Sequence, residues 1–205
     1  NRSFDNELTT EQGKQLIDDL ANFGSPVMLF SGGEPLVRKD LSQLAAYAVK
    51  KGMRAVISTK GTLITPEMAR TLKKIGLSYV GISLDGMEEI NDRFRGVNGA
   101  FRSALEGIKN SQDAGINVGL RVTVNKFNVD EIPKVFQLLE DMDIPRVCFY
   151  HLVYAGRGTE LVKEDLTHDG TRAAVDLIID ETKRLFNKGK PKEVLTVDNH
   201  ADGPY

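Results

Sequence analysis

The sequence predicts an α/β protein, an incomplete barrel of parallel strands with helices outside, and three observations carry that reading. Strand-like and helix-like runs alternate strictly, as five strand–helix units with a helix before them and a strand after. Every connection between strands is long enough for a helical crossover, which makes neighbouring strands parallel. The two faces of single strands also differ in polarity. From Asn117 to Asn125, Val118, Leu120, Val122 and Val124 share one face, and Asn117, Gly119, Arg121, Thr123 and Asn125 share the other. From Tyr79 onward, Val80, Ile82 and Leu84 oppose Gly81, Ser83 and Asp85. A doubly wound sheet has helices on both faces and needs both apolar. One apolar face and one small, polar face fit a barrel whose interior receives a polar ligand; a sheet with one solvated face is the other arrangement.

Thr9 heads the first helix, with Gln12 as the reciprocal partner of a capping box and Leu16, Ile17 and Leu20 as the apolar stripe. Val27-Met28-Leu29-Phe30 has no polar residue, the pattern of a short strand buried on both faces. Asp40 caps a helix that carries Leu41, Leu44, Ala45 and Ala48 and stops at Gly52. Arg54 to Thr59 reads as a strand. Thr65-Pro66 opens a helix with proline at its first position, and Gly76 ends it. Tyr79 to Leu84 is a strand, followed by a helix between Gly99 and Gly115. After the strand Asn117 to Asn125, Asn128 and Glu131 have capping-box spacing for a helix ending near Met142. Arg146 to Tyr154 is a strand, Asp169 to Phe186 a helix, and Glu193 to Val197 the last strand. Residues 1–192 are read as the core barrel, incomplete at its amino end, and 193–205 as the last strand and the start of an extension.

At 205 residues the chain can hold one domain with a full core, or a domain plus an appendage. A formal net charge of -2 gives no basic footprint for nucleic acid or an acidic membrane surface. No apolar run approaches the ~18 residues of a membrane span. The single cysteine, Cys148, excludes an internal disulfide and suits a reducing cytoplasm. The chain opens at Asn1 and stops at Tyr205, as expected for a piece of a longer protein.

The stretch from Val27 to Leu36 organises the rest. Ser31-Gly32-Gly33 break the strand, because two glycines allow torsions and close approaches that a side chain forbids. Glu34 follows on the loop at the carboxyl end of that strand, with Pro35 stiffening the exit. In parallel α/β proteins ligands bind at that end of the sheet. A glycine pair there usually suits phosphate, but the Glu34 carboxylate repels an anion. The loop suits a cationic group at Glu34 and close backbone contact at Gly32 and Gly33; a tight turn with a solvated glutamate is the alternative.

Ser31-Gly32-Gly33-Glu34-Pro35 resembles the GGEP motif of radical S-adenosylmethionine enzymes. Ser58-Thr59-Lys60-Gly61 resembles the family's Thr-Asn-Gly turn, with Lys60 a departure. Ile82-Ser83-Leu84-Asp85-Gly86 resembles its SLDG strand end. Arg93-Phe94-Arg95-Gly96 to Phe101 resembles the RG…F helix entry of members with a cysteine-rich (SPASM-type) extension, and Tyr154-Ala155-Gly156-Arg157-Gly158 the GRG turn. On these ordered matches, which span nearly the whole chain, it is identified as a member of that family.

The resemblance implies a partial (β/α)6 TIM-like barrel lacking its first strand and cluster loop. It implies S-adenosylmethionine and a 4Fe-4S cluster as cofactors, an electron donor of flavodoxin or ferredoxin type, and room for a second cluster in the extension. The family's CxxxCxxC loop, whose three thiolates hold a cluster with one iron left open, is absent here. Cys148 is single and lies within a strand, so the motif is expected upstream of Asn1 and the chain as given is expected to be inactive. By the same resemblance, Gly32, Gly33, Glu34 and Pro35 form the loop that receives the methionine ammonium, and Thr59 sits near the ribose. Ser83 and Asp85 bond ribose hydroxyls or the methionine end, and Leu152 and Val153 lie beside adenine. Arg121 meets the methionine carboxylate or, alternatively, pairs internally with Asp85. The held sulfonium would be cleaved to a 5′-deoxyadenosyl radical, the cofactor carrying the hard chemistry.

The phrases Phe149 to Gly158 and Thr196 to Tyr205 resemble the haem d1 branch, which removes two propionate side chains from a sirohaem-derived tetrapyrrole; the related haem-pathway enzymes of the Ahb type are similar. A substrate with several carboxylates would meet cations at the mouth, for which Lys60, Arg95 and Arg157 are candidates, each otherwise a solvated charge. His151 and His200 are either ligands to the macrocycle's iron or structural hydrogen-bonders. Two other readings compete: a maturase of a ribosomal peptide, and a cluster-less barrel that binds a nucleoside or a partner. Cysteines at CxxxCxxC spacing upstream separate the last from the rest.

Overall fold

The computed structural model describes residues 7–199 and 202–203. Six strands, β1 (Val27–Phe30), β2 (Arg54–Thr59), β3 (Tyr79–Ser83), β4 (Asn117–Thr123), β5 (Arg146–Tyr150) and β6 (Glu193–Val197), form one sheet. Every neighbouring pair is parallel and the order is sequential from β1 to β6. Right-handed crossovers between sequential strands carry the packing helices to one face, and the result is the partial barrel that the sequence predicts. Among the described residues seven α-helices accompany the strands: α1 (Thr10–Phe23), α2 (Leu41–Lys50), α3 (Pro66–Lys74), α4 (Glu88–Arg95), α5 (Ala100–Asp113), α6 (Ile132–Asp141) and α7 (His168–Asn187).

The core lies between helices and sheet, where the apolar strand faces point. Ile57, Val80, Ile82, Val118, Leu120 and Phe149 are buried there with Leu72, Ile108 and Phe136 of the helices. Phe136 of α6 stacks on Phe149 of β5 with ring centroids 5.7 Å apart. Local chemistry starts the helices as expected at Thr9, which forms the capping box with Gln12, and at Thr65, which caps α3 ahead of Pro66. Behind the sheet, Glu140 of α6 gathers Arg184, Lys188 and Lys190, tying α6 to the end of α7. No helix among the described residues is long and apolar enough to cross a membrane.

Several expectations are corrected. β1 is not buried on both faces: Val27 is 43% exposed and Leu29 47%, because β1 is an edge of the sheet and these two side chains lie on its concave side. Asp40 precedes α2 but does not cap it with its side chain, which instead accepts from Thr10 Oγ1 at 2.6 Å and pairs with Arg38. Asn128 and Glu131 form no capping box either. Asn128 Nδ2 donates to the Asp85 and Thr123 carbonyls, and Glu131 Oε2 receives the Met87 amide at 2.8 Å. β5 ends at Tyr150, four residues short of Tyr154, and α4 was not foreseen.

α5 approaches the turn after β2 closely. A Cβ at Gly107 would overlap the carbonyl oxygen of Gly61, whose own φ of +79° favours glycine. Elsewhere in a helix, alanine is favoured over glycine by about 1 kcal/mol. Here the neighbour is backbone, and overpacking a tight site costs about 1–3 kcal/mol, so the clash outweighs the propensity gain. Gly107→Ala should therefore lower the denaturant midpoint at unchanged slope in equilibrium unfolding; a raised midpoint would mean that α5 can retreat from the turn.

Candidate functional site

The concave face holds a cavity of about 740 Å³ at the carboxyl ends of the strands. Below it on the same face, two glycines oppose each other across β3 and β4, Gly81 and Gly119. A Cβ on Gly119 would overlap the Tyr79 hydroxyl, and one on Gly81 would come within 2.8 Å of Arg121 Cδ. The missing side chains thus make room for the Tyr79 ring and the Arg121 stem. Burial pushes the Tyr79 phenol up to about 12, and the Arg146 guanidinium sits 5.1 Å from its ring centroid. Cys148 is buried in β5 on the same face, its thiol pushed up by burial.

Above these glycines Arg121 lies 4.4 Å from the ring centroid of Tyr150. Among the described residues it forms no ion pair, so its charge is answered only by the ring face. The alternative pairing with Asp85 is not made, because Asp85 belongs to Arg95. Asp85 is 1% exposed; Arg95 Nη2 pairs with its Oδ2, and the Thr123 amide donates to Oδ1 at 2.9 Å. Burial pushes the Asp85 carboxyl up, and the Arg95 charge pulls it back down.

The glycine loop is set differently from expectation. Gly32 and Gly33 are exposed, with nothing within 4 Å of where a Cβ would be. The Glu34 carboxylate is turned inward as a latch. It accepts from Thr59 Oγ1 at 2.7 Å, the Lys60 amide at 2.9 Å and the Leu36 amide at 3.1 Å, with Pro35 buried beneath it. Thr59 is 3% exposed, on the helix face of β2, and accepts in turn from the Gly61 amide. Alternation along β2 therefore gives the cavity Ser58, one residue earlier than the expected Thr59.

Ser83, Asp85, Arg121, Leu152 and Val153 all line the cavity, whereas Gly32, Gly33, Glu34 and Pro35 do not. Lys60, Arg95 and His151 line it too, and His151 Nε2 is 2.7 Å from Asp202 Oδ2. Arg157 falls in a 3-10 stretch, Gly156–Glu164; its side chain and His200 lie outside the described residues. Sequence reasoning missed Tyr150, Phe127, Arg93 and Asp198, which also line the cavity. Tyr150 was legible from the alternation of β5; Arg93, whose guanidinium sits 5.4 Å from the Phe127 ring, belongs to the unforeseen α4. Among the described residues no three His, Cys, Asp or Glu side chains converge to hold a metal ion. The unpaired Arg121, the hydroxyls of Ser58 and Ser83 and the apolar Leu152 and Val153 do suit a zwitterionic nucleoside.

A parallel partial barrel with a glycine-rich loop and a charged lumen defines a known class. The Radical SAM superfamily profile matches residues 1–139, and the chain belongs to that superfamily. It is 67% identical to Fe-coproporphyrin III synthase of Methanosarcina barkeri over 98% of this chain and 51% of the relative. It is 40% identical to pre-heme d1 synthase of Dinoroseobacter shibae over 98% of this chain and 50% of the relative. The chain thus spans about half the length of these curated relatives. The fold matches Streptococcus suis SuiB bound to S-adenosylmethionine with a TM-score of 0.84 and 16% identity, covering 100% of this chain and 47% of that one.

The Asp85–Arg95 pair supplies a test. Removing one partner of a buried pair typically costs about 3–5 kcal/mol, mainly because the other charge is stranded. Arg95→Met should therefore unfold at markedly lower denaturant, and adding Asp85→Asn should recover part of the loss. Burial already holds the Asp85 carboxyl above its ordinary value despite Arg95 and the Thr123 amide, and with Arg95 gone only that amide opposes burial, so the folded pKa rises further. A raised folded pKa favours the folded state at low pH and loses that contribution as pH rises through it. The deficit of Arg95→Met should be larger at neutral than at acid pH, and a pH-independent deficit would contradict the assignment.

Proposed function

We propose that the intact protein uses S-adenosylmethionine to remodel the periphery of an iron tetrapyrrole, and that its product is Fe-coproporphyrin III. The observation that carries this reading is a cavity that joins cations to an apolar surface. Lys60, Arg93, Arg95 and Arg121 line it together with Phe94, Phe127, Leu152, Val153 and Leu161. A flat apolar macrocycle edged with carboxylates asks for both, in one site. The 67% identity to Fe-coproporphyrin III synthase, against 40% to pre-heme d1 synthase, supports that product over the haem d1 chemistry expected from sequence, which stands as the second reading.

In this reading Arg121 receives the methionine carboxylate, Ser58 and Ser83 offer hydroxyls to the ribose, and Leu152 and Val153 pack beside adenine. Gly32 and Gly33 present backbone to the ammonium. Glu34, Pro35 and Thr59 act through the loop they hold, and Asp85 acts through Arg95. With its cluster, S-adenosylmethionine supplies the one-electron, hydrogen-abstracting chemistry, and this chain supplies binding and orientation. The 205 residues hold only Cys148, so this reading takes the cluster's thiolates from outside this sequence, and a cytoplasmic flavodoxin- or ferredoxin-type protein serves as the electron donor.

Anaerobic incubation of the intact, cluster-reconstituted protein with S-adenosylmethionine, a reductant and a sirohaem-derived iron tetrapyrrole should yield the mass of Fe-coproporphyrin III. The mass of pre-haem d1 would favour the second reading, and an unchanged macrocycle would overturn both. Glu34→Gln tests the latch. An amide accepts at one end only, so the variant cannot hold all three of the contacts that the carboxylate makes. A hydrogen bond to a charged group is worth about 1.5–3 kcal/mol, so S-adenosylmethionine affinity should fall about tenfold or more, measured by calorimetry. Unchanged affinity would make the latch dispensable.

A further inference from the structure

A second, smaller pocket of about 200 Å³ opens beside the main cavity and shares Lys60, Ser83 and Arg95 with it. Thr62, Asn98 and Ser103 add polar groups to its wall, and Val97 and Ala100 add apolar ones. No aspartate or glutamate lines it. It holds two cations and several neutral hydrogen-bonding side chains, and Asp85, the carboxylate that engages Arg95, lines the main cavity and not this pocket.

Both cations are launched from fixed backbone. Lys60 sits in the turn that Glu34 and Thr59 clamp, its own amide bonded to Glu34 Oε2 at 2.9 Å. Its ammonium forms no ion pair among the described residues. Arg95 ends α4 just before Gly96, whose φ of +67° closes the helix. The buried Asp85 grips one end of its fork, which fixes the guanidinium while leaving it capable of a second anionic partner.

We propose that this side pocket receives one carboxylate arm of the substrate, with Lys60 and Arg95 as its cations and Asp85 as the positioning residue behind Arg95. The proposal rests on the iron-tetrapyrrole reading above. The pocket is too small for a macrocycle but roomy for a short carbon chain ending in a carboxylate. The methionine carboxylate of the cofactor is not the occupant, because Arg121 stands unpaired for it in the main cavity.

The test titrates the intact, cluster-reconstituted protein, without reductant, with a sirohaem-derived iron tetrapyrrole, followed by its absorbance, and separately with S-adenosylmethionine, followed by calorimetry. Lys60 is exposed, and exposed substitutions usually leave stability within about 0.5 kcal/mol, so Lys60→Met will fold. It should bind the macrocycle about tenfold more weakly or worse, with S-adenosylmethionine affinity held within about twofold. Lys60→Arg should restore most of the loss, and the macrocycle affinity of the wild type should fall more steeply with salt than that of Lys60→Met. Equal macrocycle binding by wild type and Lys60→Met overturns the subsite and leaves the tetrapyrrole reading intact. Loss of S-adenosylmethionine binding in its place assigns the pocket to the cofactor and also overturns the subsite. A wild type that binds no macrocycle overturns both.

Discussion

A carboxylate withdrawn from water has to be answered from several directions at once, and Asp85 is held by three other segments of the chain. Its side chain takes the Thr123 amide from the end of β4 and the Arg95 guanidinium from the end of α4. Its own amide donates to Asn91 Oδ1 at 3.1 Å, and its carbonyl accepts from Asn128 Nδ2 at 3.0 Å. Asn91 and Arg95 are four apart, so they lie on one face of α4 and meet the same residue. Asn128 also holds the Thr123 carbonyl and receives the Asn125 amide. The carboxyl ends of β3 and β4, helix α4 and the loop before α6 are thereby fixed to one another at the rim of the cavity.

That node explains why α4 exists. Its eight residues include only Ile90 and Phe94 as apolar side chains, and a helix so short is marginal by itself. What holds it is tertiary: Asn91 and Arg95 bind Asp85, and just before the helix the Met87 amide binds Glu131. The same logic runs through the floor of the lumen. Gly81 and Gly119 give up packing of their own so that Tyr79 and Arg121 can cross above them. The lower lumen is closed by a phenol, and the upper lumen keeps a cation without a carboxylate partner.

Much of this was legible in the sequence because it depends on local periodicity. The alternation along β3 and β4 assigned Ser83 and Arg121 to the concave face, and Thr9, Thr65 and the terminal glycines marked helix ends. Features set by tertiary chemistry were not legible. α4 has no apolar stripe to read, Asn128 and Glu131 have capping-box spacing but spend their side chains on Asp85 and Met87, and β1 looks buried because its burial depends on what stands beside an edge. Thr59 and Ser58 show the finest limit: a motif names a tripeptide, and only the phase of the strand says which of its side chains looks into the lumen. Glu34 shows the opposite limit, since its charge suggested a ligand while its geometry answers to Thr59, Lys60 and Leu36.

The lone thiol of Cys148 has a practical use. The thiolate is the species that alkylating reagents attack, and here burial both covers the sulfur and holds it protonated. In the folded chain, reagent should pass it by at neutral pH; once β5 leaves the sheet, labelling should proceed at the rate of an ordinary cysteine. Because the sequence has a single cysteine, mass added by the label counts molecules in which β5 has opened. The chain carries its own built-in clock for global unfolding, and no probe need be introduced.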